Sequence, residues 1–379
     1  MTTDQNYQQI YRVGGMLDAG FVGQITYTIS LDQVYDELDI HFSFDKRLYS
    51  ESDVTPELID RLQTLCTAKY NAPTYPVEEF RQTILHEMKT EIHTMAELND
   101  NFIGCIHRQL TDRHMLYTKE FTSDGCLAQD TFSGVLKVTV LVFNVLLDNT
   151  QYTLTVSGHP VGQGVIAPNF NLMDTVKTAA GNAGASNAAG SADNSCDAES
   201  APASAVATAG SSGVSGAGSA ATAGDSSTTG NSSAGNTVTA STRFKRLELH
   251  NHTVESDGSL TCQELTEYLA ADHVDAFAIT DHNTTSGQKK IEQLLEEKHY
   301  PISLIRGMEY TTYFGHILCL NLSKYVPWNS IDQHRPELLF EAAREKGALV
   351  GIAHPFSYGD PFARGCRFEM TVTDYSKVD

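Results

Sequence analysis

His250 and His252 close a short apolar run, Leu247-Glu248-Leu249, and lead into Thr253-Val254-Glu255-Ser256-Asp257-Gly258. Side chains alternate with period two along a strand, so a strand ending here presents both imidazoles on one face. Such a pair suits a metal ion, although in isolation it suits ordinary hydrogen bonding equally well. The residues that follow favour the metal: Asp257, then Thr280-Asp281-His282-Asn283, Gly307-Met308-Glu309, Gly315-His316 and Ala353-His354-Pro355. Each of the last four ends, follows or opens an apolar run that reads as a strand, at 276–280, 302–305, 317–320 and 348–353. Imidazoles and carboxylates gathered at successive strand ends are how an α/β barrel assembles a site along one rim.

The elements that must position these groups alternate in period. A strand at 246–250 leads to a helix at 261–272, capped by Ser259 or Thr261, and a strand at 275–280 leads to a helix at 286–298. Strands at 302–305 and 316–322, a helix at 336–346 stopped by Gly347, and a strand at 348–353 complete the series. Alternation of this kind predicts parallel pairing with right-handed crossovers. Gly307 and Gly315 fall where a crowded rim would need close backbone approach.

The rest of the chain is of a different kind. Residues 178–242 collapse into Ala, Gly, Ser, Thr and Asn, a composition that cannot bury enough surface to offset the entropy of ordering. We expect a disordered linker with an end-to-end distance on the order of 45 Å. Residues 1–177 read as an α+β accessory domain, a small sheet or sandwich with a helical insertion. Strands are expected at 24–31 and 38–44, and at 135–147 and 152–157, each pair as an antiparallel hairpin, with helices at 56–70 and 77–95 between the pairs. Its histidines, His41, His86, His93, His107, His114 and His159, share no ligand-like spacing except His86 and His93, seven apart on one helical face; packing or solvation is expected for all of them.

Composition narrows the class of function. At 379 residues and 41% hydrophobic content the chain has the size of two ordinary globular domains. The polar stretch 1–13 lacks a signal-peptide core and no run approaches a membrane span, so we expect a cytoplasmic protein without membrane contact. Seven scattered cysteines with no Cys-x-x-Cys pair point to reduced thiols, leaving any metal to His and carboxylate. A formal net charge of −21 argues against long polyanions such as nucleic acid and favours divalent cations. Nothing in the sequence sets an oligomeric state.

Apart from Val254, these ordered motifs resemble those of the PHP (polymerase and histidinol phosphatase) metallohydrolases. The contexts Gly-Met-Glu-Tyr-Thr-Thr at 307–312 and His-Pro-Phe…Gly-Asp-Pro at 354–361 are most similar to its CehA/McbA-like branch. The resemblance covers 244–379 and implies a PHP-type (β/α)7 distorted barrel for a domain at 243–379. It implies that His250 and His252 hold one metal, that Glu309 bridges it to a second completed by His316 and His354, and that Asp257 and His282 contribute to a third position. Two or three divalent ions are therefore expected, and imidazole with hard carboxylate oxygen suits Zn, Mn or Fe without choosing among them. Asp281 resembles an acid that orients an imidazole from behind. Arg364 and Arg367 are candidates to clamp a phosphate, and Tyr310, Thr311 and Thr312 to line the pocket.

Two cations about 3.5–4 Å apart bring a bridging water toward hydroxide near neutrality and neutralise charge on a phosphoryl or acyl oxygen. The expected activity is metal-dependent hydrolysis of a small-molecule phosphate ester. Hydrolysis of a carbamate or related ester is the alternative the resemblance allows, and a metal-binding regulatory module is the non-enzymatic one. Nucleic-acid processing ranks below these, although single-strand ends need little basic surface. One departure stands out: the family's final Asp-x-His motif has no counterpart after His354, so the barrel reads as incomplete, a fragment or a degenerate domain.

Overall fold

The computed structural model describes residues 7–161, 245–322, 324–359, 361–363 and 365–379. The expected linker at 178–242 and the candidate Arg364 lie outside the described residues.

The first half is built around one long strand. The expected pair at 24–31 and 38–44 is instead a single strand, β2 (Gly23–Phe44), whose register shifts between Leu31 and Tyr35. Its first part pairs with β6 (Phe132–Asn144), and its second with β7 (Thr150–Pro160) on one side and β5 (Asp112–Tyr117) on the other. The expected hairpin of β6 with β7 therefore does not form, because both strands pair with β2. Period-two alternation explains the second part of β2: Leu38, Ile40 and Phe42 are fully buried while Asp39, His41 and Ser43 face the other way. With β1 (Gln8–Leu17), β3 (Glu91–Leu98) and β4 (Asn101–Ile106) these make a seven-stranded sheet of order β1-β7-β2-β6-β3-β4, β5 lying beside β2.

Helix α1 (Pro56–Tyr70) matches its expectation, with Thr55 capping the amide of Leu58 and proline in the first turn. Helix α2 (Val77–Glu87) stops early: the chain from Glu91 onward is β3, so His93 sits in a strand and shares no helical face with His86. Nearly every residue of β3 is buried, on both faces, which erases the alternation that would have marked it as a strand.

The second half forms a five-stranded sheet of order β12-β11-β10-β9-β8. Its strands are β8 (Leu247–Glu248), β9 (Ala276–Ile279), β10 (Ser303–Thr312), β11 (Gly315–Leu320) and β12 (Leu349–Ile352). Helices α3 (Cys262–Ala271) and α4 (Ser286–Lys298) supply the parallel crossovers β8–β9 and β9–β10. The all-parallel expectation fails beyond β10. Only Tyr313 and Phe314 separate β10 from β11, and a link that short can only reverse the chain; β11 and β12 are antiparallel as well. This mixed sheet with few helices is not a closed (β/α)7 barrel.

A capping box closes the start of α3, with Thr261 and Glu264 exchanging side-chain-to-backbone bonds. Thr261→Ala should lower stability by about 1 kcal/mol, read as a lower urea midpoint at constant slope; an unchanged midpoint would mean that tertiary packing alone holds this helix end.

The two sheets share a core. Met95, Phe102, Cys105, Leu141 and Phe143 from the first pack with Met308, Tyr310, Ile317, Cys319, Phe340 and Trp328 of the second half. Residues 7–161 and the second half accordingly belong to one compact unit.

Candidate metal centre

Strand polarity brings the chemistry-bearing residues to one rim. β8, β9, β10 and β12 run the same way and β11 runs against them, so the C-terminal ends of four strands meet the N-terminal start of the fifth. His250 and His252 follow β8, His282 follows β9, Glu309 lies in β10, His316 opens β11 and His354 follows β12. Gly307 makes the packing around Glu309 possible, since a Cβ there would lie 2.8 Å from the carbonyl oxygen of Ile279 and 2.9 Å from that of Cys319.

Glu309 is fully buried at the centre of an imidazole cage. His250 Nε2 lies 2.7 Å and His252 Nε2 3.1 Å from its Oε2, while His354 Nε2 lies 2.8 Å and His316 Nδ1 2.9 Å from its Oε1. His282 Nδ1 stands farther off, 3.6 Å from Oε2, and is 2.6 Å from Thr311 Oγ1. Burial works to raise the Glu309 pKa, but the bonds from His250, His252, His316 and His354 outweigh it and hold the carboxyl far below its ordinary range.

The donor set fits divalent ions. His250, His252 and Glu309 have ligand atoms within 4.8 Å of one another, and so do His282, Glu309 and His316. His354 is the clearest case. Its Nδ1 donates to the carbonyl oxygen of Cys366 at 3.0 Å, which directs Nε2 at Glu309. Without an ion, His354 can bond both oxygens only as an imidazolium, and the hydrogen bond and charge of Glu309 do raise its pKa. Nε2 thus points where a cation would be held, and the Cys366 carbonyl fixes the ring in the way an outer partner fixes a ligand imidazole. His354 also holds a φ of 27°, a sparsely populated conformation for a non-glycine residue.

His252 behaves likewise: burial alone would lower its pKa, but Glu309 raises it. Because metal binding requires neutral imidazoles, protons should compete with the ions from near neutrality downward. We expect the rise in Tm on adding Zn or Mn to grow between about pH 6 and pH 8, spanning the ordinary histidine value of about 6.5. A metal-induced shift that is flat across this window would contradict imidazole ligation.

Asp281 is buried and turned away from the cage. Its Oδ1 accepts from Thr253 N at 2.7 Å and Ser256 Oγ at 2.7 Å, and its Oδ2 from Thr253 Oγ1 at 2.8 Å. It therefore ties down the loop that follows His252 through Thr253 and Ser256. Asp257 ends that loop, half-exposed, near His282. Arg367 stacks its guanidinium over the Tyr70 ring at 5.2 Å. Of the expected pocket residues, Tyr310 is a core side chain, Thr311 bonds His282, and Thr312 donates to the Gly315 carbonyl to tighten the β10–β11 turn.

Two features escaped the sequence reading. Glu255 is buried and joins the halves of the chain, accepting from Gly125 N at 3.0 Å and Ser286 Oγ at 2.6 Å and pairing with Lys290. His107, following β4, is buried and stacks on His282 with ring centroids 4.2 Å apart, a packed setting whose partner lies in the other half of the chain. Neither residue stands in a local pattern that spacing could expose. Asn283, next to His282, supports its loop by bonding both the carbonyl and the amide of Thr311.

Residues 7–160 match the profile of a family of unknown function (DUF6669). Among curated proteins, the chain is 36% identical over 141 residues to a 5′-3′ exoribonuclease of Haemophilus influenzae, covering 35% of this chain and 50% of that protein. It is 34% identical over 79 residues to the 5′-3′ exoribonuclease Rnm of Escherichia coli, covering 20% of this chain and 27% of that one. The chain thus spans half the length, or less, of these relatives. Among solved structures, it is similar to a two-domain protein of Bacteroides vulgatus containing a predicted PHP-like metal-dependent phosphoesterase, at 24% identity and a TM-score of 0.26, covering 29% of this chain and 35% of that one.

Proposed function

We propose that this chain is a metal-dependent hydrolase of phosphate esters, with Glu309 as the carboxylate shared between ions. The observation that carries this reading is the convergence of His250, His252, His316 and His354 on one fully buried carboxylate. A single carboxylate inside such a cage is a poor end in itself, since burying a charge is costly unless it is paired, and here every partner is itself a metal ligand type.

In this reading His250 and His252 would hold one ion with Glu309, and His316 and His354 would hold the second. Bound ions would bring a water toward hydroxide at neutral pH and neutralise charge on a phosphoryl oxygen. The chain's own residues keep the donors in place. Cys366 directs the His354 Nε2, Thr311 orients His282, and Asp281 anchors the loop behind His252. The buried setting excludes water from Glu309 and strengthens every charge interaction made there.

The test is turnover by the full chain loaded separately with Zn, Mn and Fe(II). Suitable substrates are p-nitrophenyl phosphate, its bis-ester, a short 5′-phosphorylated RNA and an aryl carbamate. The RNA belongs in the set because the curated relatives are named 5′-3′ exoribonucleases. Turnover of any phosphate ester that disappears with chelator supports the proposal. Turnover of the carbamate alone would overturn the substrate class, and bound metal with no turnover would overturn the enzymatic reading.

A further inference from the structure

A cavity of about 410 Å³ lies between the helices of the first half and the segment that follows His354, a size within the range of small-molecule sites. Tyr70 of α1, Tyr75 of the link to α2, Phe80 of α2, and Tyr358 and Phe362 of the later segment line it, together with Lys89. Tyr70 meets Tyr358 edge to face with ring centroids 5.4 Å apart, Phe80 meets Phe362 likewise at 6.5 Å, and Tyr75 stacks on Phe80 at 6.0 Å. The Gly359 amide donates to the Tyr70 hydroxyl at 3.1 Å. Tyr358 and Phe362 stand between His354 and Cys366 in sequence, and those two close the segment on the Glu309 cage through the bond from His354 Nδ1 to the Cys366 carbonyl at 3.0 Å. One segment thus walls the cavity and fixes an imidazole of the centre.

Lys89 marks the end of the cavity beside the centre. It lies half-buried between α2 and β3, and among the described residues its ammonium forms no ion pair. Two residues on, burial raises the pKa of Glu91, and the charges of His107, Lys89 and His316 oppose that rise. The cavity's lysine and an imidazole of the cage therefore act on the same carboxylate.

We infer that this cavity takes the organic part of the substrate, an uncharged planar aromatic group esterified to the phosphate, and that Lys89 pairs with the phosphate between cavity and ions. This rests on reading the centre as a phosphoesterase and adds the substrate class, aryl esters. Aromatic walls suit a flat ring, which gains stacking and edge contacts beyond its buried area, whereas a small alkyl group gains only its area. Glu79 and Glu87 also line the cavity, repelling an anion and leaving the space to an uncharged ring. In a chain of net charge −21, a lysine with no ion pair is a place for the anionic part.

The experiment measures binding rather than turnover. Zn-loaded full chain is titrated by calorimetry with phenylphosphonate and methylphosphonate, whose carbon–phosphorus bond resists hydrolysis. Phenylphosphonate is expected to bind about 10-fold tighter or more. Thr83→Trp, which fills the cavity from α2, should remove that preference and leave methylphosphonate binding unchanged, while Lys89→Met should weaken both ligands alike by about 10-fold. Tyr358 is exposed, so Tyr358→Trp keeps the test open if Thr83→Trp does not fold; the chain's one tryptophan, Trp328, is fully buried in the shared core. The emission of Tyr358→Trp should change with phenylphosphonate and not with methylphosphonate. Equal affinities in wild type, a preference that survives in Thr83→Trp, or an emission blind to phenylphosphonate overturns the cavity's role, and unchanged binding in Lys89→Met overturns that of the lysine. Metal-dependent turnover of a phosphate ester alongside any of these results leaves the hydrolase reading standing, and a phenyl preference without turnover leaves the cavity standing while that reading fails.

Discussion

For the proposed metal centre, Glu309→Gln is expected to abolish hydrolysis and to remove together the ions assigned to the His250/His252 and His316/His354 pairs. The amide keeps the shape but loses the charge and one acceptor oxygen, and both carboxylate oxygens are in use, each facing two imidazoles at 2.7–3.1 Å. Activity should fall by more than about 100-fold, the upper end for residues that merely orient ligands. Metal also stabilises the folded chain by mass action, about 2.7 kcal/mol per site at a hundredfold excess over Kd. That corresponds to a rise in Tm of about 5 °C or more, which the variant should lack. Element analysis and thermal melts with and without metal measure both effects. Wild-type metal content in the variant would sink the bridging role.

Asp281→Ala should be the most destabilising single change near the centre. It leaves three donors, Thr253 N, Thr253 Oγ1 and Ser256 Oγ, without their buried acceptor. Each unsatisfied donor costs about 1–3 kcal/mol, and with some relaxation a total of about 3–5 kcal/mol is expected, as for other broken buried networks. Asp281→Asn retains an acceptor and the volume, so its stability should lie much nearer wild type. Its metal affinity should still fall by about 10–100-fold because the loop behind His252 loses a charged anchor. Urea unfolding and metal titration of the two variants separate these effects. Equal stability losses in both would show that the carboxylate acts through its charge rather than through the donors it satisfies.

Much of the second half was legible because its signals are local. α4 spans 286–298 as its amphipathic period predicts, and Thr261 is the cap of α3. His250, His252, Glu309, His316 and His354 stand together because each is bound to the end or start of a strand whose apolar pattern can be read in a few residues. The first half was less legible for an equally physical reason. β3 is buried on both faces and carries no alternation, and β2 runs through a register shift that resembles a turn in sequence.

The sequence alone determined which histidines and carboxylates stand at strand ends and the order in which strands deliver them, since hydrophobic period, caps and side-chain type act over neighbouring residues. Only the tertiary structure decided that β11 reverses direction and brings His316 back to the rim, that two sheets share one core, and that His107 meets Asp257 across 150 residues of chain. Those outcomes depend on how whole faces are buried against one another, and no local pattern encodes which buried face will meet which.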